Sequence, residues 1–130
     1  MKIALTGATG FIGSHILTEL QSHGHQVTAL VRDDSQAASV AANGAVPAIV
    51  DLYDLAAVVN VFSEADGAAH TASPGDETSA GLDSAVIDAA IGAFGTNGRP
   101  YAHISGLWVF GSNTSINEES PYDAPAMVAA

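Results

Sequence analysis

Short apolar runs alternate along this chain with longer segments whose apolar residues recur every three or four positions. The run Lys2-Ile-Ala-Leu-Thr6 suits a buried strand, and Phe11, Ile12, Ile16, Leu17 and Leu20 follow it at helical spacing. Extending this reading predicts strands over 2–6, 26–31, 46–50, 67–71 and 100–105, and helices over 11–23, 34–43, 54–64 and 78–94. Gly24 is placed to stop the first helix, and the last carries Leu82, Val86, Ala89, Ala90 and Phe94 on one side. Strands that alternate with helices imply parallel pairing through right-handed crossovers. The expected fold is therefore α/β, a doubly wound parallel sheet ordered 3-2-1-4-5, with a ligand crevice between strands one and four. No linker, repeat or low-complexity tract interrupts the pattern, so residues 1–130 read as one domain.

The junction between the first strand and first helix carries the most chemistry. It reads Thr6-Gly-Ala-Thr-Gly-Phe-Ile-Gly13, a G-x-x-G-x-x-G spacing. Gly7 allows a sharp turn with positive φ. Gly10 allows backbone amides to approach a pyrophosphate, and Gly13 allows the helix to pack closely on the sheet. The helix N-terminus would then offer free N–H donors and the positive end of its dipole. Gly7, Thr9, Gly10, Phe11, Ile12 and Gly13 are the candidate cofactor contacts of this loop; a tight βα turn without a ligand is the alternative.

These residues resemble the short-chain dehydrogenase/reductase superfamily in its extended and atypical branches, whose loop is similar to TGxxGFIG. Further landmarks follow in order: Asp51-Leu-Tyr-Asp54 after the third strand, His70-Thr-Ala-Ser73 after the fourth, and Ser105-Gly-Leu-Trp-Val-Phe-Gly111 at the end of the fifth. The resemblance implies a Rossmann-type domain that binds NAD(P). It also implies a parent oxidoreductase or epimerase acting on a secondary alcohol or carbonyl, such as that of a nucleotide sugar. Asp51 and Leu52 would lie beside the adenine, with a helix N-cap as the alternative for Asp51. Thr71, Ala72 and Ser73 would pass the nicotinamide half, and His70 at the strand end would contribute to the cofactor site mainly through its backbone, with a role as a base as the alternative. Family members continue well beyond this length, so the sequence resembles their N-terminal half, without the substrate domain. Extended members also dimerise through two helices, which would make a homodimer.

Composition narrows the partners. Apolar residues make up 48% and charged residues 13%, a globular balance, while 14 acidic against 3 basic residues give a formal net charge of −11. Such a surface argues against nucleic acid or an anionic membrane. Phosphates must then be held by backbone dipoles and very few cations. No cysteine is present, which excludes disulfides and thiolate metal sites. His15 on the first helix, and His23 and His25 flanking Gly24 at its end, read as structural or solvated. With no signal-peptide pattern and no apolar run of membrane-spanning length, the default location is cytoplasmic.

Cofactor choice turns on the end of the second strand. Where an acidic residue would select NAD, Val31 stands 18 residues beyond Gly13 and Arg32 follows. A guanidinium there can pair with a 2′-phosphate, so NADP is expected, with NAD as the alternative. The competing reading pairs Arg32 with Asp33 or Asp34, acids that would also repel a 2′-phosphate unless they point away.

The resemblance implies a Tyr-x-x-x-Lys dyad for proton transfer, which this chain does not supply. Four residues beyond Tyr53, Tyr101 and Tyr122 lie Ala57, Ser105 and Ala126, and the only lysine is Lys2. The family's serine position falls on Gly106, leaving Ser105 one place earlier as the candidate catalytic hydroxyl or as a strand-end cap. Asp76-Glu77 reads as an acid pair at a helix start or a substrate contact, and Trp108 as core or as packing on the substrate side of the crevice. Besides the enzyme portion, a non-catalytic NADP(H)-sensing module acting through a protein partner fits the same loop.

Overall fold

A computed structural model describes residues 1–125. Five parallel strands alternate with four helices: β1 Lys2–Thr6, α1 Phe11–Ser22, β2 Gln26–Val31, α2 Asp34–Ala42, β3 Val46–Ile49, α3 Leu55–Ser63, β4 Gly67–His70, α4 Ser79–Phe94 and β5 Tyr101–His103. The sheet order is β3-β2-β1-β4-β5, as the crossover argument requires. Pairing of Leu5 with Ala29 on one side and with Ala69 on the other places β1 at its centre.

Side chains alternate across this sheet and feed two cores. Ala4, Leu30 and Ala68 face α3 and α4, where Val58, Phe62, Val86, Ala89, Ala90 and Phe94 are buried. Leu5, Val27, Ala29 and Val31 face α1 and α2, meeting Leu17 and Val40. The period of two along each strand is thus what divides the helices between the faces. Phe62 and Phe94 stack with ring centroids 5.8 Å apart. Arg99 reaches over Phe94 and donates from one guanidinium nitrogen to the carbonyls of Ser63 and Ala65, at 2.9 and 3.0 Å. It thereby satisfies acceptors at the end of α3.

The fifth strand is shorter than predicted. Its ladder runs from Ala68 opposite Tyr101 to His70 opposite His103, and β4 ends there. Ile104 N donates to His70 O, and the apolar run beyond winds into a 3-10 turn, Leu107–Phe110, instead of continuing the strand. An apolar run extends a strand only while a neighbour supplies hydrogen bonds. Trp108 is 69% exposed, so it neither fills the core nor packs in the crevice. Ala126, invoked above in the dyad count, lies outside the described residues.

Candidate functional site

The chain leaves β1 through a turn that only glycine accommodates. Gly7 has φ +71°, and a Cβ there would come within 2.6 Å of Ala72 N. At Gly13 a Cβ would overlap the Gly7 carbonyl and sit 2.7 Å from Thr71 Oγ1, so α1 starts in contact with the loops it must pass. Gly10 differs: an added Cβ meets only Gly7 O, at 3.3 Å. Its absent side chain therefore leaves room on the cleft side instead of relieving a clash. Gly10 is also the N-cap of α1, with no side chain bonded to the first-turn amides. The next two helices are closed by Asp33, which accepts from Gln36 N, and Asp54, which accepts from Ala57 N. The open end of α1 points free donors at whatever occupies the cleft.

That cleft, of about 360 Å³, lies along the C-terminal ends of β1 to β4 and is lined by Gly7, Thr9, Gly10, Arg32, Asp51, Leu52, Thr71 and Ala72. All eight were expected from sequence. Four further expected residues stand outside its lining. Gly13 is buried under the turn, while Phe11 and Ile12 are exposed at the start of α1. His70 is 1% exposed and sits beneath the loop. Ser105 is exposed in the coil after β5, also outside the lining.

Several local alternatives are decided by hydrogen bonds. Arg32 makes no ion pair among the described residues, and Asp33, the acid beside it, is engaged as the α2 cap. Asp51 does not cap α3; its carboxylate accepts from Tyr53 N at 3.0 Å and shapes the loop. Asp76 likewise bonds Thr78 N and Oγ1, which holds its carboxyl below the usual carboxylate range, and Thr78 is the N-cap of α4. Ser73, also expected beside the nicotinamide half, lines the cleft too, whereas sequence reading did not single out Leu30, Gln36, Val50, Tyr53, Pro74 and Leu82 as cleft residues. Tyr53 was the most legible of them, adjoining Asp51 in the same loop. Its hydroxyl reaches Thr78 O at 3.4 Å, spanning the cleft wall between α3 and α4.

Beneath the cleft lies a connected set of polar side chains. Thr6 Oγ1 and His70 Nδ1 are 2.6 Å apart, and His70 Nε2 is 3.1 Å from Asp83 Oδ1. The other Asp83 oxygen faces His103 Nε2 at 3.7 Å, and His103 Nδ1 lies 3.2 Å from the Tyr101 hydroxyl. Burial lowers the His70 pKa despite the opposing hydrogen bond from Asp83, and the nearby His103 lowers it further. Burial, then the Asp83 charge, pushes Tyr101 up to about 12. An unfolded chain takes up a proton at His70 near its ordinary value of about 6.5, where the folded one does not. Stability is therefore expected to fall as pH is lowered from about 7 through that value. Denaturant midpoints across the window check this, and constant midpoints would contradict it.

No helix of the described residues is long and apolar enough to cross a membrane, and they contain no cluster of metal-ligating side chains. Residues 7–99 match the model of a family described as NAD(P)H-binding. An uncharacterized protein of Schizosaccharomyces pombe is 37% identical over 123 residues, covering 92% of this chain and 42% of that protein. The chain thus spans under half the length of this curated relative. A UDP-glucose-4-epimerase from Stenotrophomonas maltophila, solved with bound NAD, superposes with a TM-score of 0.78 at 22% identity, covering 98% of this chain and 44% of that one. An NADPH-dependent quinone oxidoreductase from Escherichia coli, solved with NADPH, gives 0.60 at 31% identity, covering 70% and 33%.

Proposed function

Because the chain belongs to the NAD(P)H-binding family, we propose that this cleft holds the dinucleotide as NADP(H), in the manner of the short-chain dehydrogenase/reductase superfamily that its motifs resemble. The observation that carries the reading is the uncapped start of α1 at Gly10, opening onto a cleft whose lining includes Arg32. In this reading the first-turn amides of α1 hold the diphosphate. Arg32 takes the 2′-phosphate, assisted by the capping of Asp33, which ties up that neighbouring acid. Asp51 and Leu52 flank the adenine, while Thr71 and Ala72 line the nicotinamide half. When bound, the nicotinamide gives or takes a hydride. The residues of this chain bind and orient it, and no proton transfer is assigned to Ser105.

We further propose that residues 1–130 are the dinucleotide-binding portion of an oxidoreductase or epimerase acting on a secondary alcohol or carbonyl. Similarity to an epimerase and a quinone oxidoreductase supports that class. The competing reading, a non-catalytic NADP(H)-sensing module acting through a protein partner, uses the same glycine loop and cleft, and the two differ in whether a Tyr-x-x-x-Lys helix and a substrate domain accompany them. Hydride exchange with carbonyl substrates by the full-length protein separates the two.

Fluorescence titration tests the cofactor assignment. NADPH should bind more tightly than NADH, and Arg32→Ala should weaken NADPH by about tenfold while leaving NADH nearly unchanged. Equal or reversed affinities in the unaltered protein would remove the role given to Arg32.

A further inference from the structure

The polar set beneath the cleft has a direction that donor and acceptor matching fixes. Thr6 Oγ1 accepts from Thr71 N at 3.2 Å and Ala72 N at 3.4 Å, so both lone pairs are used. Its own proton is left to donate, and the acceptor within reach is His70 Nδ1. That nitrogen must carry a lone pair, which places the ring proton on Nε2, facing the Asp83 carboxylate. Around His70, α4 contributes the Asp83 carboxylate, which favours a charged ring, β5 contributes His103, which opposes it along with burial, and β1 contributes only the uncharged Thr6. Protonating Nδ1 would set an N–H against a hydroxyl oxygen whose acceptor sites are filled.

The same hydroxyl fixes the cleft wall. Thr71 is held twice on Thr6, by N onto Oγ1 and by its own Oγ1 onto Thr6 O at 2.7 Å. The Thr71–Ala72 backbone abuts Gly7 so closely that no Cβ fits between them. Asp83 itself does not line the cleft.

We propose that Asp83 and His70 are positioning residues for dinucleotide binding, acting in series through the Thr6 hydroxyl to hold the Thr71–Ala72 backbone against Gly7. The inference rests on the cleft being the dinucleotide site. It requires the Nε2–H tautomer of neutral His70, and a change at Asp83 must then be felt by a ligand that Asp83 does not touch.

Two measurements on the 130-residue chain test it. In ligand-free protein labelled with 15N, the His70 ring should show the Nε2–H tautomer at neutral pH. A charged ring or the Nδ1–H tautomer overturns the proposal. In NADPH titrations, Asp83→Leu should raise Kd by about five- to tenfold, and Asp83→Asn, which keeps an acceptor oxygen, should restore most of the affinity. Asp83 is partly exposed on α4, and thermal melts confirm that each variant is folded. An Asp83→Leu Kd equal to that of the unaltered protein would reduce the network to a structural one and sink the inference. If the unaltered protein fails to bind any dinucleotide, it is the cleft assignment that fails, while the tautomer still judges the network.

Discussion

Replacing Gly7 with valine is expected to remove measurable binding of both NADPH and NADH. The substitution forces a β-branched residue to φ +71° and drives its Cβ to 2.6 Å from Ala72 N. Left-handed backbone costs a non-glycine residue about 1–2 kcal/mol before any clash, and more when branched. The wall formed by Thr71 and Ala72 has to move, so loss of binding will be accompanied by a lower melting temperature. Gly10→Ala separates the two effects. Its Cβ is 3.3 Å from Gly7 O and meets no other atom within 4 Å, so the fold survives with a small shift. The methyl group instead takes up space that a diphosphate needs, and affinity should drop by more than about tenfold. Fluorescence titration beside a circular-dichroism melt reads both outcomes. A folded Gly10→Ala protein with unchanged affinity would refute the loop assignment.

Phe62→Ala is expected to be the most damaging core substitution. The ring is fully buried, stacks on Phe94 and joins α3 to α4 above Ala68 and Val58. Truncating a buried phenylalanine removes its transfer energy and leaves a cavity, together about 3–5 kcal/mol. That is a large share of the roughly 5–15 kcal/mol that stabilises an ordinary domain. Thermal melts should shift down by about 10–20 °C. Because Phe62 does not line the cleft, NADPH affinity measured well below the new midpoint should stay close to its starting value. A shift of only a degree or two would mean the core around α3 is not as tightly packed as Phe62 and Phe94 indicate.

The element order, strand order and most of the cleft were legible because they depend on local pattern. Leu82, Val86, Ala89, Ala90 and Phe94, grouped by spacing alone, are the buried residues of α4. The glycine loop was legible because each glycine answers a separate steric demand. The end of β5 was not, since the length of a strand is set by its neighbour, and β4 stops at His70. Phe11 and Ile12 continue the apolar spacing of α1 but stand exposed, because the first turn of that helix extends past the sheet. Asp83 could not have been linked to Thr6: 77 residues separate them, and only the packing of α4 brings that carboxylate to the imidazole between them. Tyr53 and Gln36 were missed for a related reason, as no spacing rule says which loop side chain turns toward a crevice.

The single cation among the cleft-lining residues has a kinetic consequence. A ligand carrying several phosphate charges must approach a protein with a formal charge of −11, and this repulsion extends over many ångströms in dilute buffer. The attraction that captures it comes from amide dipoles and one guanidinium, which act only at close range. Added salt screens the former far more than the latter, so coenzyme should arrive faster as ionic strength rises, the reverse of electrostatic steering.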